Sequence, residues 1–119
     1  MTSHELSRIC ASAAEKKRGR NIVIMDLQGI SIIADYFVIC TGANSIQVKA
    51  ICDHINETLV SEGIKPPLRI EGLKDARWIL MDFGGVVVHI FQEEERAYYN
   101  LERLWGDAKF TYFREPEGR

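Results

Sequence analysis

The chain has 119 residues, 46% hydrophobic and 27% charged, with a formal net charge of -2 at pH 7, which describes one soluble globular domain with a single core. This charge excludes a general attraction to nucleic acid, and no apolar run approaches the ~18 residues of a membrane span. The three cysteines are widely spaced, which excludes a disulfide framework or a zinc site and is typical of reduced core thiols in a cytoplasmic protein.

The first predicted element is an amphipathic helix over residues 3–18. Thr2 and Glu5 have the spacing of a capping box, and Gly19 ends the helix. The apolar residues at helical spacing are Leu6, Ile9, Cys10, Ala13 and Ala14. The basic run that follows, 16–20, could contact phosphate, but a solvated helix end is the more common role of such a run.

Two neighbouring strands follow, at Asn21 to Leu27 and Asp35 to Thr41, because both runs are apolar or β-branched and a Gln28-Gly29 turn lies between them. A second helix is predicted from Ser45 to Gly63, with Asn44 as its N-cap. The pair Pro66-Pro67 then breaks the chain.

Leu68 to Glu71 is predicted as a short edge strand, since proline cannot donate to a ladder. A hairpin then turns at Gly84-Gly85 between two apolar strands that carry Asp82 and His89. Burying an ionisable group is costly unless it is paired, so these two are either partnered inside or exposed at a surface that a partner contacts.

A last helix opens at Glu93, where three consecutive glutamates suit the positive end of the helix dipole. Continued as one helix, it places Ala97, Leu101, Leu104 and Ala108 on one face. The predicted order is α-β-β-α-β-β-β-α, an α/β fold with a mixed sheet of about five strands. We expect a single domain over residues 1–108 and a polar tail over residues 109–119 that frays.

No residue pattern indicates catalysis strongly. The Gly42-Ser45 turn precedes a helix and could hold a phosphate, as in a nucleotide-binding protein, but it lacks a phosphate-loop motif, and a tight turn with an N-cap is the more common explanation of such a segment. A nucleotidyltransferase would need paired carboxylates for two metal ions, and the chain has no Asp-x-Asp or Asp-x-Glu. The histidines are too dispersed for a metal site.

The aromatic residues near the end of the chain exceed what one helix face can bury. Trp, Tyr and Arg dominate protein interfaces, so Trp78 and Tyr99 are candidates both for the core and for a docking surface. A homodimeric adaptor that associates through such a patch or a sheet edge is a further alternative.

Several ordered motifs resemble the ribosomal silencing factor (RsfS, or Iojap-like) family. They are ADYFVICTG, Ser45 with QVKAI from Gln47, Glu71-Gly72, WILMDFG, VVVHIF, and R-x-Y-Y-x-L-E-x-L-W from Arg96 to Trp105. The resemblance covers the chain up to Trp105. It implies a nucleotidyltransferase-like fold without the catalytic carboxylates, and a protein that is not an enzyme and uses no cofactor.

The resemblance further implies binding to the large ribosomal subunit at ribosomal protein L14 (uL14), which blocks joining of the small subunit and represses translation when nutrients are scarce. Six residues match the family's motif positions and are the candidate partner-binding set: Trp78, Asp82, His89, Arg96, Tyr99 and Glu102. Which of them touch the partner is left open, as are a hydrogen bond between Asp82 and His89, self-association of the free protein, and contact with ribosomal RNA.

One position departs from the resemblance. Gly85 stands where the family often has Asp. If that acid contacts the partner, this chain has lost the contact; if the position only shapes the hairpin turn, Gly serves as well.

Overall fold

The structure, a computed structural model, describes residues 1–113; the end of the predicted tail, 114–119, lies outside the described residues. In chain order the elements are α1 (Ser3–Lys16), β1 (Arg20–Asp26), β2 (Tyr36–Gly42), α2 (Ser45–Ser61), β3 (Arg69–Glu71), β4 (Trp78–Asp82), β5 (Val86–Gln92), α3 (Glu93–Tyr99), α4 (Leu101–Leu104) and β6 (Lys109–Tyr112).

The strands form one mixed sheet in the order β3-β4-β5-β2-β1-β6. Only the β2–β5 pair is parallel among the described strands, because α2 and the β3–β4 hairpin lie between them in the chain. The predicted α/β class with a mixed sheet is confirmed, as is the position of β3 at an edge.

Local capping fixes where the two long helices begin. Thr2 Oγ1 accepts from the Glu5 amide and Glu5 Oε1 accepts from the Thr2 amide, so the predicted capping box of α1 is present. Asn44 Oδ1 accepts from the Gln47 amide at the start of α2. Both helices end two residues before the predicted boundary.

Helices α1 and α2 cover one face of the sheet. Alternate residues of β1, β2, β4 and β5 pack there against the buried sides of the two helices. The buried apolar residues of these two helices are Cys10, Ala11, Ala13, Ala14, Val48, Ile51, Cys52, Ile55 and Leu59. All three cysteines are free and buried, as predicted.

The last helix is not continuous, which corrects the prediction. Asn100 adopts the left-handed conformation with φ 46 and ψ 59 and separates α3 from α4. The predicted common face of Ala97, Leu101, Leu104 and Ala108 therefore does not exist: Leu101 and Ala108 are buried against the second face of the sheet, whereas Leu104 is exposed. Asn tolerates this conformation better than most residues, so it can redirect the chain.

The sheet has six strands rather than five, because Lys109–Tyr112 pair antiparallel with β1. The sequence pattern predicted a polar, frayed tail for these residues. Phe110 instead packs toward the second face of the sheet and Phe113 toward the helical face, so the alternation of a half-buried strand is present over a very short run.

Candidate functional site

Part of the second sheet face carries no helix. Segment α3–α4 and the turn after it pack over β1, β2 and β5, through Leu101, Trp105 and Ala108. The outward side chains of the two strands at the other end of the sheet stay exposed or half-buried. We call this surface the open face; it consists of Arg69, Glu71, Trp78, Leu80 and Asp82, with Tyr99 at its border.

The alternation of β4 builds the open face. Ile79 and Met81 are fully buried in the helical-side core, so Trp78, Leu80 and Asp82 point to the opposite side. In the register with β5, Trp78 lies opposite Phe91 and Leu80 opposite His89. Trp78 and Leu80 therefore form an apolar strip along β4.

Trp78 and His89 are joined by a hydrogen bond. The indole Nε1 of Trp78 donates to Nδ1 of His89 over 3.1 Å. Since Nδ1 accepts, it carries no proton, and the neutral imidazole carries its proton on Nε2. Nε2 is buried and has no hydrogen-bond partner among the described residues.

His89 lies beneath the surface, with 4% of its area exposed. Burial lowers its pKa from 6.5 to about 4, so the ring is neutral at physiological pH. Its neighbours are the rings of Phe37, 4.5 Å between centroids, and Phe91, 6.0 Å between centroids. His89 thus supports the open face from below and does not form its outer surface.

Tyr99 extends the aromatic group onto the helix. Its ring centroid lies 4.6 Å from that of Trp78 and 5.0 Å from that of Tyr98. Trp78 is half-buried, and both tyrosines are exposed. Within this cluster, His89 belongs to the core and Tyr99 to the surface. Trp78 reaches from one to the other.

Asp82 lies at the other end of β4 and does not bond His89. Its Oδ2 accepts from Nε of Arg69 over 3.2 Å, and its Oδ1 accepts from the Gly84 amide over 2.8 Å. The register places it opposite Val87, two residues from the position that faces His89. Asp82 caps the hairpin turn and at the same time gives the open face an acidic end.

Arg96 and Glu102 point inward, away from the open face. Nη2 of Arg96 donates to Oε2 of Glu102 over 2.8 Å, and Nη1 donates to the Asn21 carbonyl and to Oγ1 of Thr41 over 2.7 and 2.9 Å. The Arg96 side chain is only 11% exposed. This network fastens α3 and α4 to the ends of β1 and β2.

The structure thus divides the six predicted residues. It brings Trp78, His89 and Tyr99 together, pairs Arg96 with Glu102 below the helix break, and places Asp82 at the far end of β4. Leu80 and Arg69 also belong to the open face, although neither is among the residues predicted from the sequence. The signal for both was the period-two pattern of an edge strand and its neighbour, which assigns Leu80 to the same face as Trp78.

Polar groups of the Gly42-Ser45 turn that could bind a phosphate are already hydrogen-bonded within the protein. The Asn44 side chain accepts from the Gln47 amide, and the Gln47 side chain accepts from the Ala43 amide. A Cβ on Gly42 would lie 2.9 Å from a methyl group of Val48, so glycine is required for close packing of the strand against α2. These contacts agree with a tight turn and an N-cap.

Within residues 1–113 no three His, Cys, Asp or Glu side chains lie together in a way that could hold a metal ion. Over the same residues, no helix combines the length and the apolar character needed to cross a bilayer.

The family match and the relatives found among known proteins agree with one another. The family described as "Ribosomal silencing factor during starvation" matches residues 1–118. The ribosomal silencing factor RsfS of Bacillus subtilis (strain 168) is 46% identical over 108 residues, which are 91% of this chain and 91% of the relative. A crystal structure of a protein from Chromobacterium violaceum is similar with a TM-score of 0.84 at 29% identity, covering 99% of this chain and 98% of that chain.

A more distant relative is a mouse protein whose name refers to one ribosomal subunit. "Mitochondrial assembly of ribosomal large subunit protein 1" of Mus musculus is 28% identical over 96 residues, which are 79% of this chain and 42% of the relative.

Proposed function

Because the chain belongs to the ribosomal silencing factor family, we propose that it binds the large ribosomal subunit in the cytoplasm and prevents the small subunit from joining. The contact is made with ribosomal protein L14 (uL14), and translation is repressed when nutrients are scarce. The name of the mouse relative supports the choice of the large subunit.

The open face carries this proposal. It combines half-buried aromatic and aliphatic side chains, Trp78 and Leu80, with an exposed Tyr99 beside them. Such amphipathic aromatic residues, partly desolvated before binding, are the usual anchors of specific interfaces. A partner that covered this face would meet a normal interface of about 800 Å² on each side.

The charges around the open face favour a basic partner. Arg69 forms ion pairs with both Glu71 and Asp82, at 3.1 and 3.2 Å, so these three side chains together carry one excess negative charge. Exposed ion pairs contribute little to stability, so a basic partner can replace Arg69 at either carboxylate. The chief effect of this charge is on the rate and orientation of association. The proposal requires no contact with ribosomal RNA.

The mechanism is steric. A domain of this size, seated on one ribosomal protein at the subunit interface, blocks the approach of a much larger particle. It needs no turnover, metal ion or cofactor, and we propose that the protein is not an enzyme. Self-association through the open face would compete with docking, since the same side chains would be covered.

Binding to purified uL14 tests the proposal. The informative variant is Leu80→Ala, because it removes apolar contact from the open face with no change in charge. Val60→Ala is the matched control, since Val60 is exposed on α2, on the opposite side of the sheet. We expect Leu80→Ala to weaken binding about tenfold and Val60→Ala to leave it unchanged. Equal losses in both variants, or no binding by the wild type, would contradict the proposal.

A further inference from the structure

The polar group of Trp78 is turned into the protein. The indole has one polar group, Nε1–H, and it donates to His89, which is 4% exposed. A half-exposed tryptophan can satisfy this donor with water, so an inward hydrogen bond is a specific arrangement. The part of Trp78 that reaches the surface is consequently hydrocarbon.

The surroundings of His89 hold its ring in one orientation. Phe37 contacts it edge to face and Phe91 is stacked with it, with interplanar angles of 69° and 10°. Phe91 also lies 4.9 Å from the Trp78 ring, and Tyr99 lies 4.6 Å from it. The indole therefore contacts the rings of Phe91 and Tyr99, and its nitrogen is bonded to an oriented acceptor.

The unpartnered Nε2 of His89 indicates what the residue is for. A buried donor without an acceptor carries a desolvation cost that an aliphatic residue would avoid at this position. The one interaction of the imidazole that an aliphatic residue could not make is the hydrogen bond that it accepts from Trp78. Nothing else among the described residues bonds to this ring.

We propose that His89 is a positioning residue of the docking surface: it fixes the indole of Trp78 so that only its hydrocarbon edge faces the partner. The inference rests on the proposed function and specifies its chemistry. The partner presents an apolar pocket to Trp78, with no acceptor for its N–H, and His89 itself makes no contact with the partner.

The first test uses the free protein. The chain has two tryptophans, so a ¹⁵N-labelled sample gives two indole signals, and Trp105, which contacts Phe37, is the internal control for folding. His89→Leu removes the acceptor, whereas His89→Asn places an amide oxygen where Nδ1 lies. We expect the Trp78 N–H to exchange with solvent at least tenfold faster in His89→Leu and to regain most of its protection in His89→Asn.

If His89→Leu does not fold, His89→Gln takes its place, because its amide oxygen reaches the position of Nε2 and not of Nδ1. An unchanged rate of solvent exchange at the Trp78 N–H, in a folded variant without the acceptor, would overturn the inference. This result does not depend on any partner, so it is independent of the proposed function.

The second test is a double-mutant cycle in uL14 binding. We expect His89→Leu to weaken binding about tenfold, His89→Asn to restore it to within about threefold, and His89→Leu to have no further effect in a Trp78→Phe background. An equal loss in both backgrounds would mean that His89 acts by another route, and would overturn the inference. Failure of wild-type protein to bind uL14 would contradict the proposed function, while the indole signals would still test the positioning role.

Discussion

Arg96 and Glu102 meet across the break in the last helix, with 2.8 Å between Nη2 and Oε2. The same guanidinium bonds the Asn21 carbonyl and the Thr41 hydroxyl, so one side chain joins two helices and two strands. We expect Arg96→Ala to lower the free energy of unfolding by roughly 3 kcal/mol, because it leaves the buried Thr41 hydroxyl and the half-buried Glu102 carboxylate without this donor.

Urea denaturation measures that change. Arg103→Ala is the control, since Arg103 is exposed on α4, next to Glu102, and we expect it to alter the free energy of unfolding by less than about 0.5 kcal/mol. A stable Arg96→Ala protein that had lost only its partner binding would mean that Arg96 is a contact residue.

Acid should destabilise the protein through His89. Its pKa is about 4 in the folded protein against an ordinary value of 6.5, because the buried ring resists protonation. Between these values the unfolded chain binds more protons, so this contribution to stability is complete above pH 6.5 and is lost as the pH falls toward 4. The loss amounts to roughly 3 kcal/mol.

The measurement is the difference in unfolding free energy between wild type and His89→Asn at pH 7, 6, 5 and 4. Subtraction removes the titration of carboxylates that both proteins share. The wild type should lose stability relative to the variant as pH falls; parallel curves would show that His89 is protonated equally in both states.

A side chain at Gly85 should destabilise the protein through contact with Ser3. A Cβ built on Gly85 would collide with Oγ of Ser3, at the start of α1. We expect Gly85→Ala to cost about 1 kcal/mol of unfolding free energy, and Ser3→Ala to remove most of that cost in the double variant. Additive effects of the two substitutions would contradict this contact.

The thiols should be unreactive in the folded protein. Burial raises the pKa of Cys10 and Cys40 to about 12 and that of Cys52 to about 11, so almost no thiolate is present at neutral pH. Labelling with a thiol reagent should therefore proceed through unfolding, and its rate should rise with urea concentration. Rapid labelling of one cysteine without urea would identify an exposed thiol and contradict this account.

The elements that were predicted well are those with local signals. The Thr2–Glu5 capping box, the Asn44 N-cap and the Pro66-Pro67 break each act within a few residues, so the sequence alone indicated them. The break at Asn100 also had a local signal, the tolerance of Asn for positive φ, but the strong helical pattern on both sides concealed it.

The strand Lys109–Tyr112 and the grouping of the site residues depend on contacts between distant segments. Four residues with two outward polar side chains become a strand only because β1 offers a free edge. Likewise, Asp82 and His89 belong to paired strands, and only the register decided that Trp78, and not Asp82, bonds the imidazole.

Sedimentation with isolated ribosomal subunits tests the central claim most directly. Wild-type protein should travel with the large subunit alone and reduce the formation of complete ribosomes when small subunits are added, while Trp78→Ala and Tyr99→Ala should do neither at the same concentration. Val60→Ala should behave as the wild type. If the wild-type protein stays at the top of the gradient in low salt, or travels with the small subunit, the account is wrong.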